Sequence, residues 1–147
     1  MTTNISLVST ELYSEVQQFY GRQVRLLDGR DFEGYAATFT VDGEFEHSPG
    51  RPPARTRAGI TTELRDFHRK FDDDPVVRRH WFSMLTLDPA EDGTIEATFY
   101  ALVVTTRATG KPDISPSCVV YDTLVRGETG ELLLRSRRVV QDRELLG

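Results

Sequence analysis

The sequence predicts an α+β fold, with three N-terminal helices packed on one face of a strongly curved antiparallel sheet to enclose a cone. Three observations predict it. Apolar residues recur every three or four positions as far as Phe71. After Pro75 the chain turns to long runs rich in β-branched and aromatic residues. A short Gly127-to-Gly130 connection between two of those runs requires antiparallel neighbours. Helices first and strands afterwards place the helices together on one side of one sheet.

Each element follows from its local pattern. From Thr10, the residues Tyr13, Val16, Tyr20, Val24 and Leu27 form an apolar stripe that Leu12, Phe19 and Leu26 widen. Glu11 and Glu15 complement the dipole of the first turns, and Gly29 is expected to stop the helix. Asp31 can cap a second helix whose apolar face is Phe32, Tyr35, Ala36 and Phe39. Asp42-Gly43 then turns the chain into a strand from Glu44 to His47, and Ser48 to Thr56 reads as a loop rich in proline, glycine and arginine. Thr56 can cap a third helix carrying Ile60, Leu64, Phe67 and Phe71, and the Asp72-Asp73-Asp74 run is expected in the loop beyond it. Strands are expected over Val76 to Leu87, Thr94 to Thr106, Ser117 to Arg126 and Glu131 to Gln141.

Composition excludes several function classes. The chain has 147 residues, enough to bury one core without staples. A net charge of −5 argues against a nucleic-acid partner. The arginines at Arg78-Arg79 and at Arg135, Arg137 and Arg138 read as solvated sheet faces or interface pairs. The single Cys118 rules out a disulfide within the chain and reads as a small buried hydrophobe. No basic-then-apolar leader opens the sequence, and no apolar run approaches the roughly 20 residues of a membrane span, so no membrane partner and a cytoplasmic location are expected. The Asn4-Ile5-Ser6 triplet has the glycosylation pattern but no secretion signal beside it. No phosphate-cradling glycine loop, GxSxG elbow, HExxH or CxxC occurs, so neither metal nor organic cofactor is expected.

What remains is acid–base chemistry by histidine and carboxylate, or binding alone. His80 shares a strand face with Arg78, Phe82 and Met84, opposite Trp81, Ser83 and Leu85. Both faces are largely apolar, so the strand is expected to be covered on both sides, which favours a neutral, proton-accepting imidazole. Asp28 continues the buried stripe of the first helix, where desolvation and the helix dipole both disfavour its charge unless a partner meets it. His47 shares a face with Phe45 and can supply a pocket hydrogen bond, whereas His68 flanks Arg69 and Lys70 and reads as surface. Tyr35, Tyr100 and Tyr121 are candidate phenol donors. Tyr121 alternates with Asp122, so only one of the two can point inward.

These residues resemble a known family. Asp28-Gly29-Arg30-Asp31-Phe32 is similar to a scytalone dehydratase segment that carries a functional aspartate before the second helix, and Arg79-His80-Trp81 is similar to that family's histidine opening a strand after the third helix. The chain thus looks like a member of the nuclear-transport-factor-2-like superfamily, in its SnoaL-like polyketide cyclase and scytalone dehydratase branch. The resemblance implies a cystatin-like α+β barrel and one SnoaL-like domain over residues 10–142, while residues 1–9 lack periodicity and are expected to form a flexible N-terminal arm. The resemblance also implies a His80–Asp28 acid–base pair that works without metal or organic cofactor. A family tyrosine falls at His47, whereas the family's second histidine falls near Phe99 or Tyr100, where this chain has none. That departure argues against the same dehydration.

The functional expectation is a cofactor-independent cyclase, dehydratase or isomerase acting on a hydrophobic aromatic or polyketide-like molecule. His80 is the expected base and Asp28 its orienting partner. Tyr35, His47 and Tyr121 are expected to position substrate oxygens, with Phe82 and Tyr20 in the lining. The rival classes are a non-catalytic ligand-binding or accessory dimer and an oxygenase small subunit. A homodimer through the outer sheet face is expected, because the late strands are apolar on both faces.

Overall fold

The computed structural model describes residues 8–147. The Asn4-Ile5-Ser6 triplet and most of the expected arm over 1–9 lie outside the described residues. Of that arm, Val8 packs against the core and Ser9 caps the first helix, its Oγ accepting from the Leu12 amide at 3.1 Å.

Helix α1 (Thr10–Asp28) buries Val16, Tyr20 and Leu27, along with Gln23. It stops before Gly29, as expected, but the left-handed turn that closes it comes one residue later. Gly29 keeps φ −83°, and Arg30 takes the left-handed conformation at φ 62°. The Asp31 amide then bonds back to the Leu26 carbonyl at 2.8 Å and the Arg30 amide to the Leu27 carbonyl at 3.0 Å, a closed helix terminus. Arg30 bears the strain because its guanidinium holds the His68 carbonyl and the Asp72 carboxylate, at 3.3 and 3.1 Å. Asp28 is therefore the last helical residue, fixed in direction by the turn behind it.

The short α2 (Phe32–Ala36) is capped by the Asp31 carboxylate on the Gly34 amide. Strand β1 (Phe39–Glu46) begins earlier than the sequence suggests, because Phe39 leaves the helix to pair with Leu134 and the register shifts before Glu44 pairs with Ser136. A two-residue strand β2 (Ala54–Arg55), not foreseen, pairs with β1. Thr56 opens α3 (Thr56–His68), its Oγ1 accepting from the Gly59 amide. A 3-10 turn over Arg69–Phe71 follows, and Asp72 and Asp74 lie in the loop as expected, paired with Arg30 and Arg107. The long strands β3 (Val77–Pro89), β4 (Ile95–Thr106), β5 (Asp113–Arg126) and β6 (Leu132–Gln141) complete the sheet.

The six strands lie in the order β2-β1-β6-β5-β4-β3. All neighbours are antiparallel except β1 and β6, a parallel pair that corrects the expectation of a wholly antiparallel sheet. α1 packs on β3, α3 packs on β1, and α2 sits between α1 and α3. Irregular register in every long strand pair bends the sheet around the helices, since a bulge adds twist where it sits.

Two bulges change which side chains face inward. In β3 the register shifts between Ser83 and Thr86, with Met84 left-handed at φ 57°. Met84 is consequently exposed while Leu85 and Leu87 are buried, so the faces expected for this strand hold only as far as Ser83. In β6 the pairing jumps from Leu134 to Ser136, leaving Arg135 extra. Simple alternation from Leu132 and Leu134 puts Arg137 outside; the bulge turns it in, where it is 3% exposed. Arg137 is thus a core residue, contrary to the solvated-face reading.

Arg137 organises a polar hub inside the cone. Its Nε and Nη2 donate to the two Asp122 oxygens, each at 2.9 Å, in a bidentate pair. Nη1 donates to the Tyr35 hydroxyl and Nη2 to Gln23 Oε1, both at 2.8 Å. The Tyr20 hydroxyl donates to Asp122 at 2.6 Å, and Gln23 Nε2 to Thr38 Oγ1 at 2.8 Å. The rings of Tyr20, Phe82 and Phe99 surround the guanidinium.

A charge this deep is tolerable only when paired. Asp122→Asn keeps the shape but strands the Arg137 charge, and should cost about 3–5 kcal/mol in urea unfolding. Asp122→Glu should cost less, because it keeps the charge.

Candidate active site

The packing of α1 on β3 brings the last residue of the helix to the start of the strand. His80 Nδ1 lies 2.7 Å from Asp28 Oδ1, and the His80 backbone amide reaches both carboxylate oxygens at 3.3 and 3.4 Å. Both side chains are largely buried. An ionised carboxylate only accepts, so Nδ1 carries the proton, and the neutral ring presents a lone pair at Nε2. Nε2 has no protein partner among the described residues and is not sealed from solvent.

His80 lines a chamber of about 130 Å³ between the helices and the sheet. Its walls are apolar, including Phe45, Phe67, Phe82, Val120 and Val139, with Tyr35, Arg78 and Arg137 as polar points. Ordinary ligand sites take about 300–1,000 Å³. The chamber, however, adjoins an open vestibule of about 750 Å³, with which it shares Ser48, Phe67, Arg78, Pro116 and Gln141.

The other sequence candidates have different fates. His47 lines the chamber, but its Nε2 is held by Glu63 and its Nδ1 by the Ser48 hydroxyl, each at 3.0 Å. Burial pushes its pKa below the usual value despite the opposing Glu63 carboxylate. Tyr35 lines the chamber, and its hydroxyl accepts from Arg137, which leaves its own hydrogen free to donate. Phe82 lines the chamber as expected of an apolar wall. Tyr20 does not line it; its hydroxyl is committed to Asp122, and its ring borders a surface groove beside Asp28 and His80. Tyr121 is a correction. Asp122 is the member of that alternating pair that points inward, and Tyr121 is 42% exposed on the outer face beneath the Arg138 guanidinium.

Sequence reasoning missed four contributors. His68 is 5% exposed, not a surface residue, because α3 turns its Leu64 face toward the core and His68 follows at the next turn. Its Nδ1 donates to the Leu64 carbonyl at 2.8 Å, and its Nε2 accepts from Arg78 Nη1 at 3.0 Å, so both partners demand the neutral ring. Arg78 points inward with His80, a relation already present in the strand alternation. Arg137 had no such signal, because the β6 bulge is silent in the sequence, whereas Asp122 was already one of two neighbours of which only one could point inward. Cys118 is buried at the chamber wall, and burial pushes its thiol up to about 11, leaving it an unreactive hydrophobe. No group of three or more His, Cys, Asp or Glu placed to hold a metal occurs among the described residues. None of the helices is long and apolar enough to cross a membrane, again among the described residues.

The arrangement therefore offers one free imidazole nitrogen, oriented by a carboxylate, at the wall of an apolar chamber. Such a group can take a proton from a bound molecule and return it.

His68 makes the stability pH-dependent. Burial pushes its pKa down from 6.5 to about 4. Between those values the unfolded chain binds a proton that the folded chain refuses, so this contribution is complete above about pH 6.5 and is lost as pH falls toward about 4. Urea unfolding should show a loss on the order of 2–3 kcal/mol across that window, and His68→Gln should remove that component of the slope. An unchanged slope in the variant would count against the assignment.

The SnoaL-like domain family model matches residues 8–138. Among solved structures, ActVI-ORFA from Streptomyces coelicolor is 60% identical, with 91% of this chain and 99% of that chain covered and a TM-score of 0.86. A protein from Catenulispora acidiphila, solved in complex with S-DNPA, is 49% identical over 94% of this chain and 98% of its own, with a TM-score of 0.87. An NTF2-like protein with a cystatin-like fold from Novosphingobium aromaticivorans shares the fold, at 23% identity over 93% and 90% of the two chains and a TM-score of 0.75. No curated protein matches the chain. With the family match running through nearly all of α1 to β6, the chain belongs to the SnoaL-like domain family.

Proposed function

We propose that the protein is a cofactor-independent acid–base enzyme that cyclises, dehydrates or isomerises a hydrophobic, aromatic or polyketide-like molecule in the cytoplasm. The observation that carries this reading is the 2.7 Å His80–Asp28 contact, with Nε2 left free at the chamber wall. Membership of the SnoaL-like family and the likeness to ActVI-ORFA support a polyketide cyclase or dehydratase type of chemistry. The small molecule held by the Catenulispora relative supports a small-molecule ligand for this chain as well.

In the proposed mechanism His80 Nε2 takes a proton from a carbon next to a carbonyl, and the C–H pair becomes the enolate. Asp28 stabilises the imidazolium that forms. Tyr35 directs its free hydroxyl hydrogen at a substrate oxygen, with Arg137 polarising the phenol. The imidazolium then returns the proton to carbon, to oxygen or to a leaving hydroxide. His47 and His68 are both engaged elsewhere, so one group must both take and return the proton. That favours cyclisation or isomerisation over an elimination that uses two histidines.

Deuterium uptake from D₂O into aromatic polyketide ketones, followed by mass spectrometry, tests the reading. His80→Ala should slow uptake by about 10² to 10⁴-fold without unfolding the chain, and Asp28→Asn should lose much of the same. The double variant should be little worse than His80→Ala alone, since the two act as a unit. Full activity in His80→Ala would leave the accessory-binder reading in its place.

Under either reading the outer sheet face calls for a cover. Trp81 is 64% exposed and Tyr100 56%, on neighbouring strands, with Tyr121 nearby on the next. We take a second copy of the chain to cover this face, as a two-fold symmetric dimer, under either reading. Sedimentation at micromolar concentration should give twice the chain mass, and Trp81→Glu should return it to one. A monomeric wild type would remove the dimer.

A further inference from the structure

A row of three polar residues at the chamber rim has no part in the acid–base step. Ser48 lines both the chamber and the vestibule, and His47 lines the chamber beside it. The His47 ring stacks on Phe45 at 4.9 Å and meets the edge of Phe67 at 5.3 Å, which fixes its plane. Glu63 ends the row from α3. Its Oε1 lies 3.0 Å from His47 Nε2, and Arg51 Nη2 donates to its Oε2 at 3.0 Å.

Each hydrogen in this row has one place to be. Burial works to raise the Glu63 carboxyl, but the bonds from His47 and Arg51 outweigh it and hold the group below its usual range. The carboxylate is therefore ionised and only accepts, so His47 Nε2 carries the ring proton. Burial keeps the ring neutral, which leaves Nδ1 with a lone pair and no hydrogen. The Ser48 hydroxyl, 3.0 Å away, must then donate to Nδ1. Ser48 Oγ makes no other hydrogen bond among the described residues. With its one hydrogen committed, it turns only lone pairs to the cavity, and donation to the imidazole strengthens that oxygen as an acceptor.

We propose that Ser48, set by His47 and Glu63, is a hydroxyl-binding subsite, and that the ligand of the chamber presents a neutral hydroxyl group to it. An ether, carbonyl or carboxylate oxygen there would set lone pair against lone pair. An ammonium group would meet Lys70, whose charge bears on His47, and Arg78 on the same walls, while the Glu63 charge is already answered by Arg51 at 2.8 Å. A neutral hydroxyl satisfies Ser48 without either conflict. His47 and Glu63 act through the Ser48 hydrogen and are positioning residues. The subsite deepens the proposed function by naming a group its substrate carries, and it rests on that reading only for the place of the ring. It also complements Tyr35, whose free hydrogen seeks an acceptor. A molecule bearing both a carbonyl and a hydroxyl thus has a preferred direction across the site.

Titration calorimetry at about pH 7, where a phenol keeps its hydrogen, can compare 7-hydroxy-1-tetralone with 7-methoxy-1-tetralone. The two share ring and ketone and differ only in the donor. Wild type should bind the hydroxy ketone about tenfold more tightly, at low and high salt alike, because the group is neutral. Ser48→Ala should bring that ratio close to one while keeping the affinity for the methoxy ketone. His47→Phe keeps the ring packing but frees the Ser48 hydrogen for an ether oxygen, so it should narrow the ratio by improving the methoxy ketone. A purely structural role for His47 would weaken both ketones alike and leave the ratio unchanged. Equal binding by wild type overturns the subsite and leaves the His80 mechanism standing, since deuterium uptake reads that separately. A preference that survives in Ser48→Ala also overturns it, and loss of that preference in His80→Ala would give the hydroxyl to the imidazole instead. Binding of neither ketone at millimolar concentration overturns both the subsite and the chamber as a ligand site. Should His47→Phe fail to fold, the ratios in wild type and Ser48→Ala still decide.

Discussion

The structure depends on one buried ion pair, Arg137 with Asp122. Both residues lie in the middle of long strands, at 3% and 1% exposure, and neither charge can reach water. Each hydrogen bond of the pair therefore has to be made within the chain. Those bonds recruit α1 through Tyr20 and Gln23, α2 through Tyr35, and β5 and β6 through the pair itself. A helix that shifted against the sheet would leave a buried donor or acceptor unmet, at a cost of about 1–3 kcal/mol for each. The apolar core accounts for the burial, but it is the hub that admits only one arrangement of helices on the sheet. The seat of Asp28 at the end of α1, and so its meeting with His80, follows from that arrangement.

Much of this was legible in the sequence, and most of what was not has a common cause. The helical stripes, the hairpin at Gly127-to-Gly130 and the inward course of α1 to Asp28 come from short-range periodicity, which packing rarely overrides. His80 and Asp28 could be singled out because each broke an apolar pattern at a position where a polar group needs a partner. The readings that failed lie at or beyond bulges. Arg137 was placed outside because alternation from Leu134 has no way to register the extra Arg135, and Met84 was grouped with His80 because its left-handed backbone is invisible in the letters. The parallel pairing of β1 with β6 is likewise a matter of long-range register, which local pattern does not encode. His68 was misread for a different reason. Its charged neighbours suggested surface, whereas its spacing from Leu64 pointed inward.

The three histidines show how surroundings divide one residue type among different tasks. His68 is bonded at both nitrogens by partners that hold it neutral, so it serves as a spacer between α3 and Arg78. His47 is also engaged at both nitrogens, by Glu63 and Ser48 at the rim of the chamber. His80 alone is held by one nitrogen and free at the other. Orientation by a single partner is what allows a ring to be both fixed and reactive, and this distinction depends on tertiary packing, not on the residue itself.

The bulge at Met84 divides β3 into two lengths that point their side chains by opposite rules. Upstream, even-numbered residues reach the chamber; downstream, odd-numbered residues fill the core. The strand thereby works as two segments joined out of phase, one for the ligand and one for the body of the protein. Sequence drift in the first segment can reshape the cavity without loosening the second. The count of residues between His80 and the bulge has no such freedom. A single insertion or deletion there would swap the two rules and carry the imidazole to the far side of the sheet, so chain length over these few positions is as constrained as the identity of any residue in the site.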